Sequence, residues 1–99
     1  MTEFFTLETF TPHVNTTFLM HYGDSQTAEL NMTSATDVGS SSRQIQISLK
    51  FQAPVSAPVA QGIYRLDHDK MGVLDMFLVP IDKDAAGVYY EAIFNRPVG

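Results

Sequence analysis

The chain contains no cysteine, which excludes disulfides and thiolate chemistry and leaves the redox compartment open. No apolar run approaches the roughly 18 residues that suggest a membrane span. Basic residues are few: 6 Lys and Arg stand against 11 Asp and Glu, a net charge of −5. A chain of that sign repels phosphate backbones and anionic lipid, so neither nucleic acid nor a membrane is expected as a partner. The opening Met1-Thr2-Glu3-Phe4-Phe5 carries an acid where a signal peptide carries basic residues, and the expectation is a soluble, cytoplasmic protein. Asn15-Thr16-Thr17 and Asn31-Met32-Thr33 match the glycosylation triplet, but no secretory signal supports that use.

What is present is strand. Ninety-nine residues with 44% hydrophobic content fit a single domain, residues 1–99, with one modest core. The organising stretch is a hairpin, Val73–Ile81 and Val88–Phe94, joined by a turn over Asp82–Gly87. Both arms are rich in the β-branched and aromatic residues that suit a pleated surface. The cleanest signal is Arg43–Phe51, where Ile45, Ile47, Leu49 and Phe51 alternate with Gln44, Gln46, Ser48 and Lys50, a period of two. Thr17–Tyr22, Gln26–Thr36 and Ile63–His68 complete six strands, with Phe18, Met20, Ala28, Leu30, Met32 and Leu66 on inward faces. Met76-Phe77-Leu78-Val79 is apolar on both faces, which predicts a central strand or one covered on its outer side. Pro80 is expected at a bulge or an unpaired edge. Gln52–Val59, with two prolines, reads as an extended surface crossing. Asp37–Ser42 reads as a flexible loop.

Ahead of the strands, Thr6–Phe10 reads as a short helix with Thr6 as N-cap and Pro12 as its stop. Phe4, Leu7 and Phe10 then share a face that plugs one end of the β structure. The predicted architecture is all-β, about six antiparallel strands in a small barrel or two-layer sandwich over residues 17–95, with residues 1–14 as a helical cap.

Phe10-x-Pro12-x-Val14, Gln61-Gly62-Ile63-Tyr64-x-Leu66-x-His68, Met76-Phe77-Leu78-Val79-Pro80-Ile81 and Tyr90-Glu91-Ala92-Ile93-Phe94-Asn95 resemble the motifs of a family of short bacterial all-β domains of unknown function. The match covers nearly the whole chain, and Asn15 stands where that pattern has Gly. Both residues tolerate a left-handed backbone. Such domains lie near genes for phage-tail-like collar proteins, so the resemblance implies an assembly context and a tail-collar-like protein partner. It supplies no catalytic residues.

The reactive residue types do not assemble into a motif. Asp67, His68 and Asp69 are adjacent on a strand, so they point to opposite faces, and His68 is expected to fix the following turn. His13 and His21 have no acid at a recognisable spacing, and a three-histidine zinc site would need all three to converge. Asp82-x-Asp84-x-x-Gly87 opens like a calcium loop but places Ala86 and Ile93 at ligand positions. Ser40-Ser41-Ser42 lacks a nucleophile elbow. Tyr64, Tyr89, Tyr90, Phe77 and Phe94 read as core before they read as a cavity lining. Phe4 and Phe5 cannot both face one narrow site, so that they read first as core packing and second as leaving one ring for a partner.

The expectation is therefore a non-catalytic structural or protein-interaction module with no cofactor and no metal, and with a homo-oligomer as one form. A small ligand-binding barrel is the alternative, and a metal-dependent enzyme the second.

Overall fold

A computed structural model describes residues 7–41 and 43–97. Helix α1 (Leu7–Phe10) runs into a 3-10 turn (Thr11–His13) and then into six strands: β1 (Thr17–Tyr22), β2 (Gln26–Asp37), β3 (Gln44–Ala53), β4 (Gly62–His68), β5 (Gly72–Asp84) and β6 (Gly87–Pro97). All pairings are antiparallel, and the order β1-β2-β3-β6-β5-β4 closes on itself as a barrel rather than a sandwich. The ring consists of two three-stranded meanders, β1–β3 and β4–β6. Ten register pairs from Gln44↔Pro97 to Ala53↔Val88 join them on one side. Three pairs, Leu19↔Asp67, Met20↔Leu66 and His21↔Arg65, join them on the other.

The alternation read from the sequence places the core. Phe18, Met20, Leu30, Met32, Ile47, Leu49, Phe51, Leu66, Leu78, Val88 and Tyr90 are completely buried. Side chains meet across the axis: Phe18 of β1 packs edge-on against Phe51 of β3 with ring centroids 5.5 Å apart. The interior is therefore filled. Two bulges adjust the ring. One falls between Met32 and Ser34 and flips the parity of β2, so that Ala35, not Ser34, packs onto the core. The other falls between Pro80 and Asp82, as the missing proline N–H requires.

The barrel ends are closed by non-strand segments. At one end Phe10 is fully buried and stacks on Phe94 at 5.3 Å. Pro12 does not stop the helical segment but sits in the first turn of the 3-10 helix, where a proline lacks no needed donor. Asn15 takes a left-handed φ of 69° and donates its N–H to the Met32 carbonyl at 2.7 Å, seating the cap beside the first bulge. At the other end the proline-rich crossing is not purely a surface strap. Ala57 is buried, the Tyr90 hydroxyl donates to the Pro58 carbonyl, and the Tyr64 hydroxyl donates to the Ala60 carbonyl at 2.6 Å. Burial pushes the Tyr90 phenol up to about 12, which keeps it a donor at every physiological pH.

The hairpin is tighter than expected, because its strands continue to Asp84 and restart at Gly87. The Asp84 carboxylate accepts from the Ala86 and Gly87 N–H groups at 2.8 and 3.2 Å, so two residues suffice for the turn. Asp82 accepts from the Lys83 N–H at 2.8 Å. Both carboxylates thus serve their own hairpin.

Candidate functional site

A closed barrel covers only one face of each strand, and this decides the fate of the doubly apolar β5. Its even-numbered residues Leu74, Met76 and Leu78 are buried. Its odd-numbered residues are not: Val73 is 61% and Phe77 52% exposed, and Ile63 of β4, directly opposite Phe77, is 75% exposed. Of the two readings of this strand the central one holds, since β4 and β6 flank it, while a covered outer side is not found: among the described residues no second layer lies over this wall. Ile93 of β6 is also exposed. Phe77, read as core, points outward, and Tyr89 lies on the outer face where alternation along β6 puts it, its hydroxyl donating to Asp84 at 3.1 Å. Phe94, Tyr64 and Tyr90 do pack inward. The β4–β5 wall therefore reads as three cross-strand rows: Ile63↔Phe77, Arg65↔Asp75 and Asp67↔Val73.

Beside these rows the short seam brings together residues that are remote in sequence. With its proton on Nε2, His21 donates to Asp67 Oδ2 at 2.6 Å. Arg65 donates through Nε to Oδ1 at 3.2 Å and through Nη2 to Oδ2 at 3.4 Å. His21 therefore does have an acid partner, which linear spacing could not reveal because β1 and β4 meet only on ring closure. The His21 hydrogen bond, followed by those of Arg65, holds the Asp67 carboxyl below the usual carboxylate range. A shallow outer depression of about 530 Å³ opens here, with Leu19, Glu29, Arg65, Asp67 and Val73 on its walls.

His68 performs the structural role expected of it. Its Nδ1 accepts from the Lys70 and Met71 N–H groups at 3.0 and 3.2 Å, which places the proton on Nε2. That proton is donated to Thr16 Oγ1 at 2.9 Å, and the Thr16 hydroxyl donates onward to the His13 carbonyl. The rings of His13 and His68 meet edge-on at 4.7 Å over a cleft of about 400 Å³ that also exposes Pro12, Asp69 and Lys70. Among the described residues no three His, Asp or Glu side chains are arranged to hold a metal ion, and every buried side-chain nitrogen or oxygen has a hydrogen-bond partner. The loop after β2 is also more ordered than its composition suggests. Asp37 accepts from the Gly39 and Ser40 N–H groups at 3.0 and 2.9 Å, and these bonds lower its pKa, that from Ser40 most. Ser40 Oγ in turn accepts from the Gln46 N–H at 2.9 Å.

Burial, then the neighbouring His13 charge, lowers the His68 pKa. A histidine depressed in the fold favours the neutral form. Its contribution is complete above the unfolded pKa near 6.5 and is lost as pH falls through the lower folded value. Thermal melts of the wild type are expected to lose midpoint between pH 7 and 5. In His68→Asn that pH dependence flattens, whereas an unchanged slope would assign it to other groups.

Phe4 and Phe5, the candidate partner-binding residues, lie outside the described residues, as do Thr6 and Ser42. No helix among the described residues is long and apolar enough to cross a membrane. Residues 5–94 match the family described as a domain of unknown function, DUF6916. The chain belongs to that family. No curated protein and no solved structure matches it. The DUF6916 match spans the cap, the ring and the exposed β4–β5 wall together. That wall of the DUF6916 domain carries three large apolar residues, Ile63, Val73 and Phe77, that its core does not account for. Sequence reading missed it because a doubly apolar strand signals two covered faces, and only the ring topology shows that one of them lies outside.

Proposed function

We propose that this DUF6916 domain is a non-catalytic protein-interaction module whose working surface is the outer wall of β4 and β5. The observation that carries this reading is the Ile63–Phe77 pair, apolar and directly apposed on the wet face of the barrel. Large apolar side chains gathered on an exposed sheet mark an interaction site more often than chance. The packed interior favours this reading over a ligand-binding barrel, whose pocket would need the axis that Phe18, Phe51 and Tyr90 fill. His21, His68, Asp67, Asp82 and Asp84 are engaged by turns and by the seam, which favours it over a hydrolytic or metal-dependent enzyme. The resemblance to bacterial domains encoded near tail-collar-like proteins supports an assembly as the setting, with the module accessory to a phage-tail-like or appendage structure.

A photo-crosslinking amino acid at position 77, in the chain expressed in its own cell, tests the proposal. A protein adduct is expected from position 77 and none from Asp24, which lies in the exposed turn after β1. No adduct above that control would overturn the reading.

A further inference from the structure

The rows of the β4–β5 wall have a symmetry property that identifies a partner. Facing rows carry unlike residues at the same level along the strands: Ile63 beside Phe77, and Arg65 beside Asp75. A two-fold axis parallel to the strands, midway between β4 and β5, lays β4 of one copy over β5 of another. Ile63 then meets Phe77 of the second copy and Arg65 meets its Asp75, each contact occurring twice, as an isologous interface requires. The alternative two-fold, in the same plane but across the strands at the Arg65–Asp75 level, sets Arg65 on Arg65 and Asp75 on Asp75 and is repulsive. Asp67 needs no partner in the favoured arrangement, since His21 and Arg65 already hold it. The Asp75 carboxylate is exposed and has no hydrogen bond or ion pair among the described residues, although the residue lies directly opposite Arg65.

We infer that the partner of this wall is a second copy of the chain, docked through β4 and β5 about the strand-parallel two-fold, with Ile63 and Phe77 as its apolar centre and reciprocal Arg65–Asp75 pairs beside them. The inference rests on the interaction reading above and names its partner. Ile63, Phe77 and Val73 expose on the order of 300 Å² of apolar surface. A convex barrel meets its mate along one ridge, so the interface belongs to the small, reversible class below about 1,200 Å². The dimer is expected to form in the micromolar range.

Sedimentation equilibrium from about 1 to about 500 µM, a range that brackets micromolar affinity, tests it by charge exchange. Arg65→Asp places acid against acid, and Asp75→Arg places base against base. Each variant alone is expected to dimerise at least about tenfold more weakly. Mixed one to one, they form a complex in which both contacts are again opposite in sign, and association returns. Phe77→Ser, at an exposed position, provides a second monomeric variant should either charge reversal perturb folding. A wild type that stays monomeric throughout, or a mixture no more associated than its components, would overturn the inference. The crosslink at position 77 separates this failure from that of the broader reading. An adduct of twice the chain mass supports both, an adduct with a different protein keeps the interaction surface and overturns the self-partner, and no adduct removes both.

Discussion

Gly87→Ala is expected to remove most of the domain's stability. Gly87 opens β6 with a φ of 154°, and it is buried where the end of β3 passes the hairpin. A β-carbon built there would lie 2.0 Å from the Ala53 carbonyl oxygen and 3.2 Å from its carbon. That neighbour is backbone, held in the long β3–β6 ladder through Ala53↔Val88, so it cannot rotate aside as a side chain would. Either the last rungs of the ladder separate or the hairpin turn is rebuilt, and the cost is expected to exceed about 3 kcal/mol, the range of severe single substitutions. Domains of this size have only about 5–15 kcal/mol in total. Gly72 is the control. Its φ of 79° is also left-handed, but nothing lies within 4 Å of a β-carbon there, so Gly72→Ala is expected to cost about 1–2 kcal/mol from backbone conformation. Urea unfolding of both variants checks the contrast, and equal losses would show that the Ala53 carbonyl yields.

Phe18→Ala and Phe77→Ala are expected to differ by several kcal/mol although both remove the same ring from a strand. Phe18 is fully buried and touches Phe51 and His68, at 5.5 and 4.4 Å between ring centroids. Its loss leaves a cavity on the barrel axis and is expected to cost about 3–5 kcal/mol. Phe77 is half exposed, and its tie to the fold is the cross-strand pair with Ile63, worth roughly 0.2–1 kcal/mol. Chemical denaturation at low protein concentration, where association does not contribute, measures both. A loss at Phe77 approaching that at Phe18 would mean that the ring is part of the core and would remove the argument for the outer wall as a binding surface.

The period-of-two pattern made most of the architecture legible. Ile45, Ile47, Leu49 and Phe51 alternate without exception, and Phe18, Met20, Ala28, Leu30 and Met32 lie where alternation puts them. Pro80, His68 and Asn15 were equally readable, because a missing donor, a strand-end imidazole and a left-handed backbone each have few structural uses. The features that escaped depend on which strands become neighbours. The His21–Asp67 bond joins residues 46 apart in sequence. Ala57 could be recognised as buried only once the crossing was known to lie over a barrel end. The bulge after Met32 lies where Asn15 of the cap region bonds the Met32 carbonyl, a neighbour to which β2 alone gives no clue. The outer wall was misread because an apolar residue facing another layer and one facing solvent look the same in a string of letters.

The unequal seams between the two meanders have a consequence for how the chain reaches its final shape. Four neighbouring strand pairs are hairpins that close locally, whereas the three rungs from Leu19↔Asp67 to His21↔Arg65 require distant parts of the chain to find each other for little reward. Shutting the ring there is accordingly expected to come late, and until it happens β1 and β4 would each present bare backbone to the surroundings. An unfinished sheet with bare edges is a template for neighbouring chains. The nascent protein is thus most prone to tangle in the interval before those last rungs snap together.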